Sequence, residues 1–215
     1  METSRSVSTT THGRYLVEIP DDSRATLVGF HGYQENAAIT LTVLRAVANG
    51  RRIGLVSVQG LHRFYSRSND VIASWMTSQD RELAIADNAA YVARVMTAIA
   101  DEFGVTRPLI YAGFSQGVAM AYRAAALVQR PCEGVIALAG DLPPDVAPLA
   151  GSLPPVLLGR GTEDQWYTAE KAEKDLAVLT AAGATVSEHV FEGGHVWSPA
   201  FISRAGEFVD ELLLS

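Results

Sequence analysis

A chain of 215 residues with 48% hydrophobic content fits one domain with a sizeable core and leaves no room for a second full one. The formal net charge of -7, with no basic run longer than Arg51-Arg52, excludes a phosphate-tracking groove, so nucleic acid is not an expected partner. Cys132 is the single cysteine, which excludes an intramolecular disulfide and cysteine-rich zinc sites and makes a reducing cytoplasm the expected compartment.

Residues 1–14 are rich in Ser and Thr and lack the apolar stretch of a signal peptide, so they are expected to form a disordered tail ahead of one domain over 15–215. No run of about 18 apolar residues is evident, and no transmembrane segment is expected. Short apolar runs at 15–19, 27–30, 53–58, 109–112, 134–139 and 156–159 are bounded by Gly, Pro or Asp and predict strands, several buried on both faces. Residues 185–191 alternate and predict a strand nearer an edge.

Between the strands lie helical patterns. One spans 36–49 and closes on Gly50; another repeats through Leu83, Ala86, Ala90, Ala93, Met96, Ala100 and Phe103 before Gly104. Thr168 is placed to cap a helix running to Ala182, and Ser198-Pro199 opens the last one. Strands alternating with helices predict an open, mainly parallel α/β sheet of about seven strands with helices on both faces.

Chemistry concentrates where Gly113-Phe114-Ser115-Gln116-Gly117 follows a strand and opens an Ala-rich helix. A Ser on such a tight turn projects its hydroxyl above the sheet, and the Gln116 N–H at the helix start faces an anion formed there. A serine hydroxyl needs a base, and a base needs an orienting acid. Asp164, in the loop after the 156–159 strand, is the first candidate acid, ahead of Asp141 and Glu163. His195 follows a Gly pair late in the chain and is the candidate base; His12, His62 and His189 read as structural or solvated, and His31 precedes the serine. The order Ser115, Asp164, His195 is that of α/β-hydrolases. At the end of the second strand, Phe30-His31-Gly32-Tyr33 supplies a candidate second oxyanion donor, the Tyr33 N–H, beside that of Gln116.

With these motifs the chain resembles the phospholipase/carboxylesterase branch of the α/β-hydrolases, which includes acyl-protein thioesterase-like enzymes and small bacterial carboxylesterases. The likeness runs from about Leu27 to the C-terminus through the serine motif, Gly161 to Asp164, and Gly193 to His195. It implies an α/β-hydrolase fold and hydrolysis of an ester or thioester through an acyl-enzyme on Ser115, with no metal and no organic cofactor. Departures affect substrate preference. His31-Gly32-Tyr33-Gln34-Glu35-Asn36 stands where relatives commonly show His-Gly-x-Gly-Asp, Arg160 where a His is frequent, and Tyr167 where an aliphatic residue is usual.

The segment 59–79 is the expected pocket wall, with Phe64, Tyr65 and Trp75; Trp166 and Trp197 follow the acid and the histidine. There is no room for a large cap domain, so the site is expected to be fairly open to a small-molecule ester or acyl substrate. Assembly as a homodimer is compatible with the sequence. Two other functions fit the same pattern: a peptidase, amidase or carbon–carbon hydrolase on the same triad, or a catalytically silent ligand-binding protein on a hydrolase scaffold.

Overall fold

The apolar runs become strands because they are shielded on both faces: every residue of the four central segments around Val28, Val56, Ala112 and Ile136 is buried. In the computed structural model, which describes residues 2–104, 107–128 and 130–214, the chain begins with β1 (Arg14–Glu18), β2 (Thr26–Phe30), α1 (Ala37–Ala48) and β3 (Gly54–Gln59). It continues through β4 (His62–Tyr65), β5 (Val71–Ser74), α2 (Arg81–Glu102), β6 (Leu109–Phe114), α3 (Gln116–Leu127) and β7 (Gly134–Leu138). A 3₁₀ turn (Ala147–Ser152) precedes β8 (Val156–Gly161), α4 (Ala169–Ala181), β9 (Val186–Phe191) and α5 (Pro199–Leu214).

Among the described residues, seven strands share one sheet in the order β1-β3-β2-β6-β7-β8-β9. All are parallel except β1, which runs antiparallel to β3. Helices cover both faces: α1 packs with α5, and α2 with α3. This is the α/β-hydrolase architecture. The winding direction reverses between β2 and β6, and at such a point loops leaving the carboxyl ends of the strands diverge and open a crevice.

Helix ends follow the chemistry of their residues. Asn36 accepts from the N–H groups of Ala38 and Ile39, each at 3.0 Å, and the Ser198 hydroxyl accepts from Phe201 N–H at 3.1 Å. Thr168 sits at the predicted cap position, but its hydroxyl bonds the Glu170 carboxylate at 3.0 Å rather than the backbone.

Two features add to the expected pattern. Residues 59–79 contain a separate hairpin, β4 paired antiparallel with β5, which the alternation of burial could not reveal because every residue of β4 is exposed. In addition, α2 is by length and composition able to cross a bilayer, with a mean hydropathy of 1.2 over 18 residues. Its Tyr91, Val92, Val95, Met96 and Ile99 are buried in the core, which accounts for that apolarity without a membrane.

Candidate active site

Between β6 and α3 the chain turns within a single residue. Ser115 takes φ 52° and ψ -119°, a backbone conformation sparsely populated by residues with a side chain. The surroundings hold it there: its N–H donates to Leu138 O at 2.9 Å, and its carbonyl accepts from Val118 N–H at 3.0 Å. The flanking glycines are needed for close approach, since a Cβ on Gly117 would stand 2.1 Å from Phe30 O and one on Gly113 2.4 Å from Gly117 O. The first turn of α3 therefore abuts the end of β2, at the crevice.

The acid and histidine loops are fastened to one another by backbone bonds. Thr162 N–H donates to Phe191 O at 2.8 Å and Glu163 N–H to Gly193 O at 2.8 Å. Gly161 carries no Cβ where one would lie 2.2 Å from Gly193 O. Asp164 is buried, and its Oδ1 accepts from the N–H groups of Trp166 and Tyr167 at 2.8 and 2.9 Å. The other oxygen, Oδ2, lies 2.8 Å from Nδ1 of His195. That contact places the imidazole proton on Nδ1 and leaves Nε2 free to accept. Of the alternative acids, Asp141 is exposed and pairs with Lys171 at 3.4 Å, and Glu163 is exposed beside the loop; the carboxylate bonded to His195 is that of Asp164.

The loop after β2 is built from side-chain contacts. His31 is fully buried; its Nε2 accepts from Gly60 N–H at 2.9 Å, so Nδ1 carries the proton and donates to Gly32 O at 2.7 Å. Burial pushes its pKa down, which keeps the ring neutral. The Glu35 carboxylate accepts from Gly32 N–H at 2.7 Å. Burial pushes the Glu35 carboxyl up, and the Gly32 bond and the neighbouring His195 pull it back. With Gly32 N–H taken, Tyr33 N–H has no protein acceptor among the described residues.

A model of the family described as Phospholipase/Carboxylesterase matches residues 14–213. The chain belongs to the phospholipase/carboxylesterase family. No curated protein matches it in sequence. Among solved structures, the Bacillus cereus carboxylesterase superposes with a TM-score of 0.73 at 20% identity, covering 93% of this chain and 94% of that one. Zea mays acyl-protein thioesterase 2 superposes at 0.69 and 20% identity, covering 94% and 100%. TT1662 from Thermus thermophilus gives 0.75 at 23% identity, covering 95% and 100%.

As a phospholipase/carboxylesterase family member the protein carries one of its expected departures in the loop after β2. Gln34 has φ 64°, a left-handed conformation that favours the glycine commonly found there, and it is held by Gln34 N–H donating to Ala73 O at 3.1 Å. The hairpin thus braces this loop. Gln116 braces it from the other side: its amide accepts from Trp75 N–H at 2.9 Å and donates to Met76 O at 2.9 Å.

A cavity of about 470 Å³ opens at the crevice, bordered by Ser115, Gln116 and His195. Of the five predicted wall aromatics only Trp166 borders it, joined by Tyr167. Trp75 is core: wholly buried, it stacks on His31 at 5.1 Å and donates from Nε1 to His31 O at 2.9 Å. Phe64 and Tyr65 lie outside on the exposed β4, Phe64 facing Tyr33 at 6.1 Å. Trp197 packs behind the histidine, against Phe114 at 6.3 Å and Phe201 at 5.6 Å, while Phe114 itself lies 4.9 Å from the His195 ring.

The expected wall segment contributes Met76, Thr77 and Ser78, but the basic part of the border was not foreseen. It includes Arg81, Arg123 and Lys171. Arg123 carries a signal in the sequence, being the only charged residue in α3. Glu35 carries less, since only the fold brings it beside His195.

Proposed function

We propose that this protein, by its family a hydrolase acting on esters, works through an acyl-enzyme on Ser115, with His195 as general base and acid and Asp164 as the orienting group. Ser115 Oγ attacks the substrate carbonyl carbon as its proton passes to His195 Nε2. The oxyanion that forms accepts hydrogen bonds from the N–H groups of Gln116 and Tyr33, aided by the N-terminal dipole of α3. Collapse of the tetrahedral intermediate breaks the bond to the leaving group, which takes the proton from His195. Water, deprotonated by the same imidazole, then releases the carboxylic acid and restores Ser115.

The observation that carries this reading is the 2.8 Å contact between a buried Asp164 and His195 Nδ1, with His195 and a strained Ser115 bordering one cavity. Substrates are carboxylic esters, with thioesters the alternative acyl donors. The test is turnover of p-nitrophenyl esters and acyl thioesters by wild type and Ser115→Ala. Loss on the order of 10³-fold or more with an unchanged circular dichroism spectrum is expected. Retention of wild-type rates in the variant would remove Ser115 from the mechanism.

A further inference from the structure

The cavity beside Ser115 has a polarity that a neutral acyl chain does not call for. Gln116, Ala119 and Arg123 lie three and four positions apart and present one face of α3 to it. Arg123 is wholly buried; its Nε and Nη2 each donate to Asp145 at 2.8 Å, and its Nη1 has no hydrogen-bond partner among the described residues. An unsatisfied donor on a buried cation is costly, and at a cavity wall an anionic ligand is one partner that would offset that cost.

Arg81 borders the same cavity from the first residue of α2, a helix end where a cation opposes the helix dipole, and it makes no ion pair among the described residues. The Asp145 carboxyl is held below its usual range, chiefly by the Arg123 hydrogen bonds, with the Arg81 charge acting in the same direction. One carboxylate thus serves two guanidinium groups, while Lys171 is offset by Asp141 at 3.4 Å. In a chain of net charge -7, this end of the cavity gathers two guanidinium groups, Arg81 and Arg123, about the single Asp145 carboxylate.

We infer that the preferred substrate is an ester whose acyl part carries a second, ionised carboxylate, bound at the Arg81–Arg123 end of the cavity while the ester carbonyl sits at Ser115. This rests on the acyl-enzyme reading and names its substrate class. Arg123 lies eight positions beyond Ser115, roughly 12 Å along the helix axis, and helical side chains lean back toward the N-terminus. The carboxylate therefore belongs several bonds from the carbonyl, as in a half-ester of a medium-length dicarboxylic acid. Arg81 reaches it from the cavity mouth. Arg123 supplies a fixed charge from the buried side of the cavity wall.

The test compares mono-p-nitrophenyl esters of glutaric, adipic and pimelic acids with p-nitrophenyl esters of uncharged straight-chain acids of the same length, with Ser115→Ala as the background. At low ionic strength kcat/KM is expected to favour the anionic series by about 10-fold or more, and the preference to shrink as salt rises. Arg123→Met strands the Asp145 carboxylate and endangers the fold, so Arg81→Gln carries the test. It is expected to reduce the anionic-to-neutral ratio by about 5-fold or more, chiefly through KM. Equal rates for the two series, with a ratio that Arg81→Gln does not change, would overturn the inference and leave the hydrolase reading standing. Calorimetry of adipate against folded Ser115→Ala separates the remaining outcomes. Binding that weakens when Arg81→Gln is added supports the anionic site even if no ester is turned over, a result that would count against the hydrolase reading alone. Absence of adipate binding overturns the site.

Discussion

The two sides of the crevice are made differently. On the side of Ser115, Asp164 and His195, main chain meets main chain: Gly117 lies against Phe30 O, Gly161 against Gly193 O, and the acid and histidine loops exchange backbone hydrogen bonds. On the side of Tyr33 and Arg123, side chains from remote segments do the fastening: Glu35 holds Gly32 N–H, Trp75 holds His31 O, Gln116 holds Trp75 N–H and Asp145 holds Arg123. Backbone sterics tolerate no substitution, whereas a side-chain network can be rebuilt with other residues. The difference teaches that the proposed triad and the network beside it are held by separately variable means.

The catalytic half is where the largest effect is expected. Asp164→Asn should lower kcat by about 10⁴-fold, because the amide can donate to His195 Nδ1 and favour the tautomer that cannot accept the serine proton. Asp141→Asn and Glu163→Gln should each cost far less, since neither carboxylate touches His195. Steady-state rates of the three folded variants check the ordering, and greater damage in Asp141→Asn would move the acid to the loop after β7.

A smaller effect, on stability, is expected from Gly117→Ala. The new methyl would sit 2.1 Å from Phe30 O and 2.6 Å from His31 O, both main-chain atoms that can move only with their strand. Destabilisation of about 2–4 kcal/mol is expected in urea titration, with an unchanged m-value. A variant as stable as wild type would show that the two segments are not locked together.

That contrast also explains what was legible in the sequence. Ser115, Asp164 and His195 were readable because each stands after a strand and beside the glycines that its turn requires, so local composition carries the geometry. All seven strands of the main sheet were readable, six as apolar runs bounded by breakers and the last, near 186–191, from its alternation. Trp75 was misplaced because an aromatic residue near a site looks alike in sequence whether it lines the pocket or lies behind it; only the Nε1 bond to His31 O distinguishes the two. The β4–β5 hairpin left no periodic trace, since β4 is exposed throughout. Arg81 and Glu35 are invisible locally, because the relation of Arg81 to the cavity and of Glu35 to His195 depends on contacts made across the fold.

The smallest effect concerns Glu35 and sharpens the comparison from the side-chain half. Its carboxyl is raised above the ordinary range by burial. A raised folded-state pKa favours the folded protein while the group is protonated, and this contribution is lost as pH rises through that pKa. Glu35→Gln keeps an acceptor for Gly32 N–H and does not ionise. The melting temperature of wild type should therefore fall relative to Glu35→Gln as pH is raised from the acid side of the carboxylate range toward neutrality. Parallel curves for the two proteins would mean that Glu35 is ordinarily solvated.

The proposed reaction passes through a covalent bond between substrate and Ser115. Mass spectrometry of protein acid-quenched during turnover of a slowly deacylating ester, followed by peptide mapping, tests it directly. The expected result is one acyl group on the peptide containing Ser115, enriched in wild type and lost in Ser115→Ala. Turnover with no acylated protein at any time, or an acyl group on another residue, would contradict the account.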